Sequence, residues 1–142
     1  MTARRVLFVC TGNLCRSPMA EAMATARGGG DVTFESAGVR AAVGAPATPV
    51  AVGAVREIGI DLAGHRARQL DRDLAEAVDR IYVMTADHRA GVLEIAPGME
   101  DRVFLLHPDG ADIDDPFGCT LDVYREIRDE IAAAIEARGE DL

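Results

Sequence analysis

Four short runs along the chain are apolar or β-branched enough to read as strands: Val6-Leu7-Phe8-Val9, Val32-Thr33-Phe34-Glu35-Ser36, Ile81-Tyr82-Val83-Met84 and Val103-Phe104-Leu105-Leu106. The first, third and fourth show no polar alternation, which is the pattern of strands covered on both faces. Between them the period changes to that of a helix. Met19, Ala22, Met23 and Ala26 follow Ser17-Pro18, read as an N-cap with proline at the first helical position, and Gly28-Gly29-Gly30 ends the segment. Thr48-Pro49 repeats the start signal ahead of Ala51, Ala54, Val55 and Ile58, with Gly59 as the stop. A short helix is predicted over 72–78 and another over 86–95, stopped by Pro97-Gly98. Tyr124, Ile127, Ile131 and Ile135 mark one stripe of a helix predicted over 120–137. Strands alternating with helices predict an α/β domain with a mostly parallel sheet. In such sheets ligands bind beyond the carboxyl ends of the strands, where Cys10 sits. Two longer irregular stretches, 37–47 and 107–118, are candidate functional loops.

Composition narrows the partners. The 142 residues fit one domain, 1–142, with enough chain to bury a core. The net charge is −9, and all fifteen basic residues are Arg, scattered rather than clustered. That argues against a nucleic-acid partner. No apolar run approaches the roughly 20 residues of a membrane-spanning helix, so no membrane partner is expected. Met1-Thr2-Ala3-Arg4-Arg5 and the short apolar run after it are too brief for a secretory leader, and a cytoplasmic protein is expected. An odd set of three cysteines argues against a disulfide framework. Cys10 and Cys15 lack a second nearby pair, and His65, His88 and His107 are scattered, so neither a zinc site nor any other cofactor is expected. His88 and His107 read as surface residues.

The chemistry concentrates in Cys10-Thr11-Gly12-Asn13-Leu14-Cys15-Arg16-Ser17-Pro18. A Cys with an Arg six positions later means little alone. The spacing recurs at Cys119 and Arg125, without glycine and inside a helical pattern, and that second match reads as chance. The first match follows a buried strand and precedes a helix start. Gly12 and Asn13 tolerate positive φ, so the loop can curl until several backbone N–H groups point inward. The helix start adds its positive end. Arg16 would close the cup with a fork for two phosphoryl oxygens. The same field favours a thiolate at Cys10, which is then a nucleophile in line with a bound phosphorus. Reading Cys10 as a small buried side chain leaves the rest of the run unexplained.

The run from Cys10 to Pro18, followed by Met19-Ala20-Glu21-Ala22, resembles the phosphate-binding loop of the low-molecular-weight protein-tyrosine-phosphatase family, including its protein-arginine-phosphatase branch. The likeness continues through Ser36-Ala37-Gly38, Gly59-Ile60-Asp61, His65-Arg66-Ala67-Arg68-Gln69, Met84-Thr85 and Asp115-Pro116-Phe117-Gly118. It implies a four-stranded parallel sheet flanked by helices on both faces. It also implies a protein phosphatase that works through a phosphocysteine and releases inorganic phosphate. In that likeness Cys10 is the nucleophile and Thr11, Gly12, Asn13, Leu14, Cys15, Arg16 and Ser17 form the loop. Asp115 is the acid that protonates the leaving group and then activates water. Composition shows only an acidic loop there; the resemblance selects Asp115 over Asp114 by its place before Pro116. Asp112, Asp114 and Asp115 stand close together, and like charges favour one protonated carboxyl. Asn13, Ser17, Ser36 and His65 match positions that hold the loop in shape. The likeness also implies that Cys10 and Cys15 can close a protective disulfide; a small buried filler is the other reading of Cys15. Cys119 is given no role.

Substrate signals are mixed. Leu14 and Phe117 would line the pocket, and phosphotyrosine wants apolar and aromatic walls. The loop 39–50 has no aromatic residue. Arginine phosphatases of the family share Asp-Pro-Phe-Gly but tend to carry Thr where Leu14 stands. The expectation is phosphotyrosine on a protein substrate, with phosphoarginine as the alternative. Arsenate reduction needs relay cysteines after the third strand, and none lies there. A non-catalytic phosphate-binding module would not need both Cys10 and Asp115.

Overall fold

The computed structural model describes residues 4–142. The leader reading of residues 1–5 falls partly on 1–3, outside the described residues. Four parallel strands, β1 (Arg4–Cys10), β2 (Val32–Gly38), β3 (Arg80–Val83) and β4 (Val103–Leu105), form one sheet in the order β2-β1-β3-β4. Side chains of a strand alternate between faces, so β1 feeds two cores at once. Val6 and Phe8 join one cluster with Tyr82 of β3; Leu7 and Val9 join the other with Ile81 and Val83. All of these are fully buried. Burying each such side chain is worth roughly 2 kcal/mol, so a polar residue anywhere in β1 would be costly.

Among the described residues five α-helices cover the sheet: α1 (Arg16–Arg27), α2 (Pro49–Arg56), α3 (Arg72–Ala77), α4 (Ala86–Ile95) and α5 (Leu121–Arg138). Met19 and Met23 of α1, Ala51 and Val55 of α2, and Tyr124, Ile127, Ile131 and Ile135 of α5 pack on the first face. Ala75 of α3 and Val92 of α4 pack on the second. Both-face cover holds for β1 and β3. At the edge strand β4 only Val103 is buried, while Phe104 and Leu105 are partly open. A 3-10 turn at Glu100–Arg102, after Pro97-Gly98, was not expected.

The cap expected at Thr48 is present, Asp71 and Thr85 supply two more that the sequence did not single out, and the one at Ser17 is corrected. Thr48, Asp71 and Thr85 accept from the N–H groups of Ala51, Leu74 and His88. Ser17 is not an N-cap. The first α-helix starts at Arg16 after Cys15, with no side-chain cap, because the Ser17 hydroxyl is engaged with Cys10 and Asn13. Among the described residues no helix is long and apolar enough to cross a membrane. The fold thus brings the end of the central strand β1, the start of α1 and the loop after β2 to one point. Cys10 pairs with Gly38 there, at the carboxyl edge of the sheet.

Candidate active site

The segment after β1 curls because its carbonyls are all held outward. Cys10 O accepts from Val39 N (3.0 Å), Thr11 O from Arg40 N (2.9 Å) and Gly12 O from Ala42 N (3.1 Å). Leu14 O accepts from Thr48 N (3.0 Å), and Cys15 O from Met19 N (3.1 Å). Asn13 O meets His65 Nε2 at 2.7 Å. A carbonyl can only accept, so His65 carries its proton on Nε2. With the oxygens facing out, the N–H groups of a tight turn face in, making a concavity for an anion.

Asn13 is the residue that makes the curl possible. It sits at φ 59°, and its side chain secures that uncommon backbone. Nδ2 donates to Ser17 Oγ (2.8 Å) and Ser36 Oγ (3.0 Å), while Oδ1 accepts from Arg68 N (2.9 Å). Gly12 does not take a positive φ, and a Cβ there would meet Leu14 at an ordinary 3.6 Å. The glycine that the geometry demands is Gly38. A Cβ on it would stand 2.4 Å from Thr11 O and 3.0 Å from Asn13 N. Sequence reading noted Gly38 only within a resembling triplet; the backbone-to-backbone approach behind it is a tertiary contact.

Cys10 is buried, with Sγ 2.9 Å from Ser17 Oγ. Ser17 Oγ already accepts a hydrogen bond from Asn13 Nδ2, so its own proton is available to the sulfur or to Ala37 O at 3.4 Å. Arg16 is buried at 4% exposure rather than splayed into solvent. Its Nη1 donates to Ile113 O (2.8 Å), and its Nη2 lies 3.6 Å from Asp115 Oδ2. Asp115 itself is half-exposed, and its Oδ1 accepts from Phe117 N at 3.0 Å. Buried Ile113 and Pro116 anchor the acid loop on either side of Asp114 and Asp115. Asp112 is turned away to Ala86 N, accepting at 2.9 Å, so the three aspartates do not form one cluster of equals.

Two cavities meet at this point, sharing Thr11, Arg16, Arg40 and Asp115. The smaller, about 280 Å³, opens directly over Cys10 and is walled by Leu14, Ala42 and Phe117. The larger, about 860 Å³, runs past His88, Asp87, Glu94, Asp112 and Asp114. The structure therefore brings together Cys10, Thr11, Gly12, Leu14, Cys15, Arg16, Asp115 and Phe117, with Asn13, Ser17, Ser36 and His65 packed behind them. Cys119 is exposed and lies outside both linings. Arg125 turns to Glu57 and Asp122, in keeping with a chance match at Cys119.

Two neighbours, His88 and Tyr124, were misread or missed, and Cys15 takes the buried reading left open for it. His88 is not a surface residue: it is 5% exposed, and its Nε2 lies 2.8 Å from Thr11 Oγ1. Burial, with Arg16 nearby, pushes its pKa down to about 4. Cys15 is a buried free thiol whose Sγ lies 3.3 Å from Tyr124 Oη and 3.6 Å from Thr48 Oγ1. Burial raises its pKa, and burial followed by the Cys15 contact pushes Tyr124 up to about 12. Tyr124 was assigned to a helix stripe, and nothing in the local sequence shows that its hydroxyl would reach the back of the loop.

The family profile described as "Low molecular weight phosphotyrosine protein phosphatase" matches residues 5–141. A protein-arginine-phosphatase of Geobacillus stearothermophilus is 41% identical over 143 residues, covering 97% of this chain and 95% of that protein. The low molecular weight protein-tyrosine-phosphatase Wzb of Escherichia coli K12 is 39% identical over 130 residues, covering 90% and 83%. Among solved structures, the YwlE arginine phosphatase, a cysteine-to-serine mutant with a phosphorylated active-site serine, superposes with a TM-score of 0.91. It is 36% identical, over 97% of this chain and 95% of that one. By sequence, by fold and by the matched span, this chain belongs to the low molecular weight phosphotyrosine protein phosphatase family.

Proposed function

We propose that the chain is a cysteine-dependent protein phosphatase acting on phosphotyrosine through a phosphocysteine. The observation that carries this reading is the position of Cys10: a buried sulfur at the foot of a loop whose carbonyls are tied outward, 2.9 Å from the Ser17 hydroxyl, under an apolar mouth. The loop amides and Arg16 hold the phosphoryl oxygens and stabilise the charge that builds on them. The Cys10 sulfur attacks phosphorus in line, the bond from phosphorus to the leaving oxygen breaks, and Asp115 gives that oxygen its proton. Asp115 then takes a proton from water, whose oxygen attacks the phosphorus and releases inorganic phosphate and the thiolate. Ser17 steadies the departing sulfur. Asn13, Ser36 and His65 keep the loop curled.

Leu14, Ala42 and Phe117 give the mouth apolar walls suited to a tyrosyl ring. Phosphoarginine is the second reading, favoured by the 41% identical relative named an arginine phosphatase and by the single aromatic, Phe117, at the mouth. Three free cysteines agree with a reducing, cytoplasmic setting. The test is metal-free turnover of p-nitrophenyl phosphate, lost on Cys10→Ser, followed by phosphotyrosine and phosphoarginine peptides on the wild type and Leu14→Thr. The wild type should prefer phosphotyrosine, and Leu14→Thr should move it toward phosphoarginine. A wild type that ignores phosphotyrosine peptides overturns the first substrate reading. Full turnover by Cys10→Ser overturns the mechanism.

A further inference from the structure

The acid loop and the nucleophile loop come from opposite ends of the sequence, yet proton donation needs them at a fixed separation. Two hydrogen bonds from one helical turn bear on that separation. His88, in the first turn of α4, reaches Thr11 Oγ1 with its Nε2 at 2.8 Å. Ala86 N, which opens the same turn, donates to Asp112 Oδ1 at 2.9 Å. The partners are 77 and 26 residues away in sequence. The acid loop is tied twice more close by: Ile113 N donates to Met84 O (2.8 Å), just before the helix, and Ile113 O accepts from Arg16 (2.8 Å).

We propose that the first turn of α4 is a positioning hub, in which His88 holds the nucleophile loop and Asp112 holds the acid loop, so that together they set the gap between Cys10 and Asp115. This rests on the reading of Asp115 as proton donor.

The character of the His88 bond suits such a role. Nδ1 of His88 is buried and meets no protein partner among the described residues. An unpaired lone pair is better tolerated there than an unpaired N–H, so the proton sits on Nε2 and His88 donates to Thr11. Arg16 lowers the affinity of this imidazole for a second proton, while Asp115, Asp112 and Asp87 pull the other way; burial, the largest influence, keeps it neutral. A neutral donor fixes Thr11 without adding charge beside Arg16. The second bond caps α4, because a carboxylate at the first amide satisfies an orphan donor and meets the positive end of the helix. His88 and Asp112 touch neither the sulfur nor the mouth over Cys10. They are positioning residues.

A misplaced acid costs most when the leaving group is poor. The test is therefore kcat and KM on p-nitrophenyl phosphate, a good leaving group, and phenyl phosphate, a poor one. Wild type, Asp115→Asn, His88→Ala, Asp112→Ala and Thr11→Val are compared, each checked for folding by circular dichroism. Asp115→Asn sets the scale of lost acid catalysis, roughly 10²-fold or more on phenyl phosphate. For His88→Ala and Asp112→Ala the fall in kcat should be about tenfold larger on phenyl phosphate than on p-nitrophenyl phosphate, with KM changing less than about twofold. His88→Gln, which keeps a donor, and Asp112→Asn, which keeps an acceptor for Ala86, should recover most of the loss. Thr11→Val reads the His88 bond from its other end and should match His88→Ala if that variant does not fold. Equal losses on the two substrates, or losses confined to KM, overturn the hub. If Asp115→Asn itself shows no leaving-group bias, the acid reading falls and the hub with it. If Asp115→Asn shows the bias and the hub variants do not, only the hub falls.

Discussion

Replacing Gly38 by alanine is the sharpest test of how the phosphate loop is built. The new methyl group would lie 2.4 Å from Thr11 O, 3.0 Å from Asn13 N and 3.1 Å from the carbonyl carbon of Gly12. Carbon and oxygen prefer about 3.5 Å, so the Thr11 peptide must retreat by roughly 1 Å. It cannot do so freely. Thr11 O is held by Arg40 N at 2.9 Å, and Gly38 O accepts from Leu70 N at 2.9 Å while Gly38 N donates to Arg68 O at 3.0 Å. Gly38 also pairs with Cys10 across the strands. No flexible side-chain end is available to give way, because the clash is backbone against backbone. Overpacking of this kind costs about 1–3 kcal/mol. In a chain of this size that is a fall in Tm of roughly 3–10 °C. The carbonyl that moves belongs to the same peptide unit as the Gly12 N–H, one of the loop amides that the proposed mechanism aims at the phosphoryl oxygens. Activity should therefore suffer more than stability. Losing one aligned donor to developing charge costs about 10²-fold in kcat, which is roughly 3 kcal/mol. The assay is calorimetry for Tm beside kcat on p-nitrophenyl phosphate and the inhibition constant of inorganic phosphate. Wild-type Tm and kcat in Gly38→Ala would refute the close approach. A lowered Tm with unchanged kcat would refute the link from that approach to the amides.

Asn13→Ala removes three hydrogen bonds and leaves a positive φ unsupported; kcat should fall by about 10²-fold and Tm should drop, read by the same two measurements. Cys10→Ser should retain the fold, judged by an unchanged circular dichroism spectrum, while turnover falls by at least about 10³-fold. Burial and Arg16 lower His88 from its ordinary 6.5 to about 4. Between those values the unfolded chain takes up a proton that the folded chain refuses, so stability falls as pH drops through that window. His88→Gln should flatten this part of the stability curve, seen in urea midpoints at about pH 7 and pH 4.5, by an amount on the order of 3 kcal/mol at most.

The strands and the loop were legible because each is written in neighbouring residues. β1 has no polar alternation because it is covered on both sides, and Cys10 through Pro18 spells a turn into a helix in one run. Asn13 announced its left-handed backbone by its residue type. Failures came where the meaning of a residue depends on something remote. Gly12 and Asn13 were read together as the residues that tolerate a positive φ, but only Asn13 takes one, and the close approach falls on Gly38, on the next strand. His88 looked like any helix-surface histidine, since the hydroxyl it meets is 77 residues away. Ser17 carried a cap-type signal, yet its hydroxyl went to a sulfur instead of to the helix amides. In each case local propensity was overruled by a tertiary contact around the nucleophile, which is where such conflicts are expected.

The side chains that crowd the loop have a common electrical property. Cys15 is pushed up, Tyr124 is pushed up to about 12 and His88 is pushed down to about 4, each chiefly by burial. All three are therefore neutral near pH 7, although each could in principle carry charge. The fixed positive groups left at the base of the cavity are Arg16, the dipoles of the loop amides and the start of α1, above the Cys10 sulfur. This is the arrangement by which a chain of net charge −9 would hold the phosphoryl group of the proposed reaction. The global charge sits in exposed carboxylates, where water and salt screen it beyond about 10 Å. The local field comes from fixed dipoles and one buried guanidinium, where screening is weak. In the proposed reaction the charge changes are then confined to Asp115, the Cys10 sulfur and the phosphoryl group, because the neutral neighbours add no titrating charge of their own.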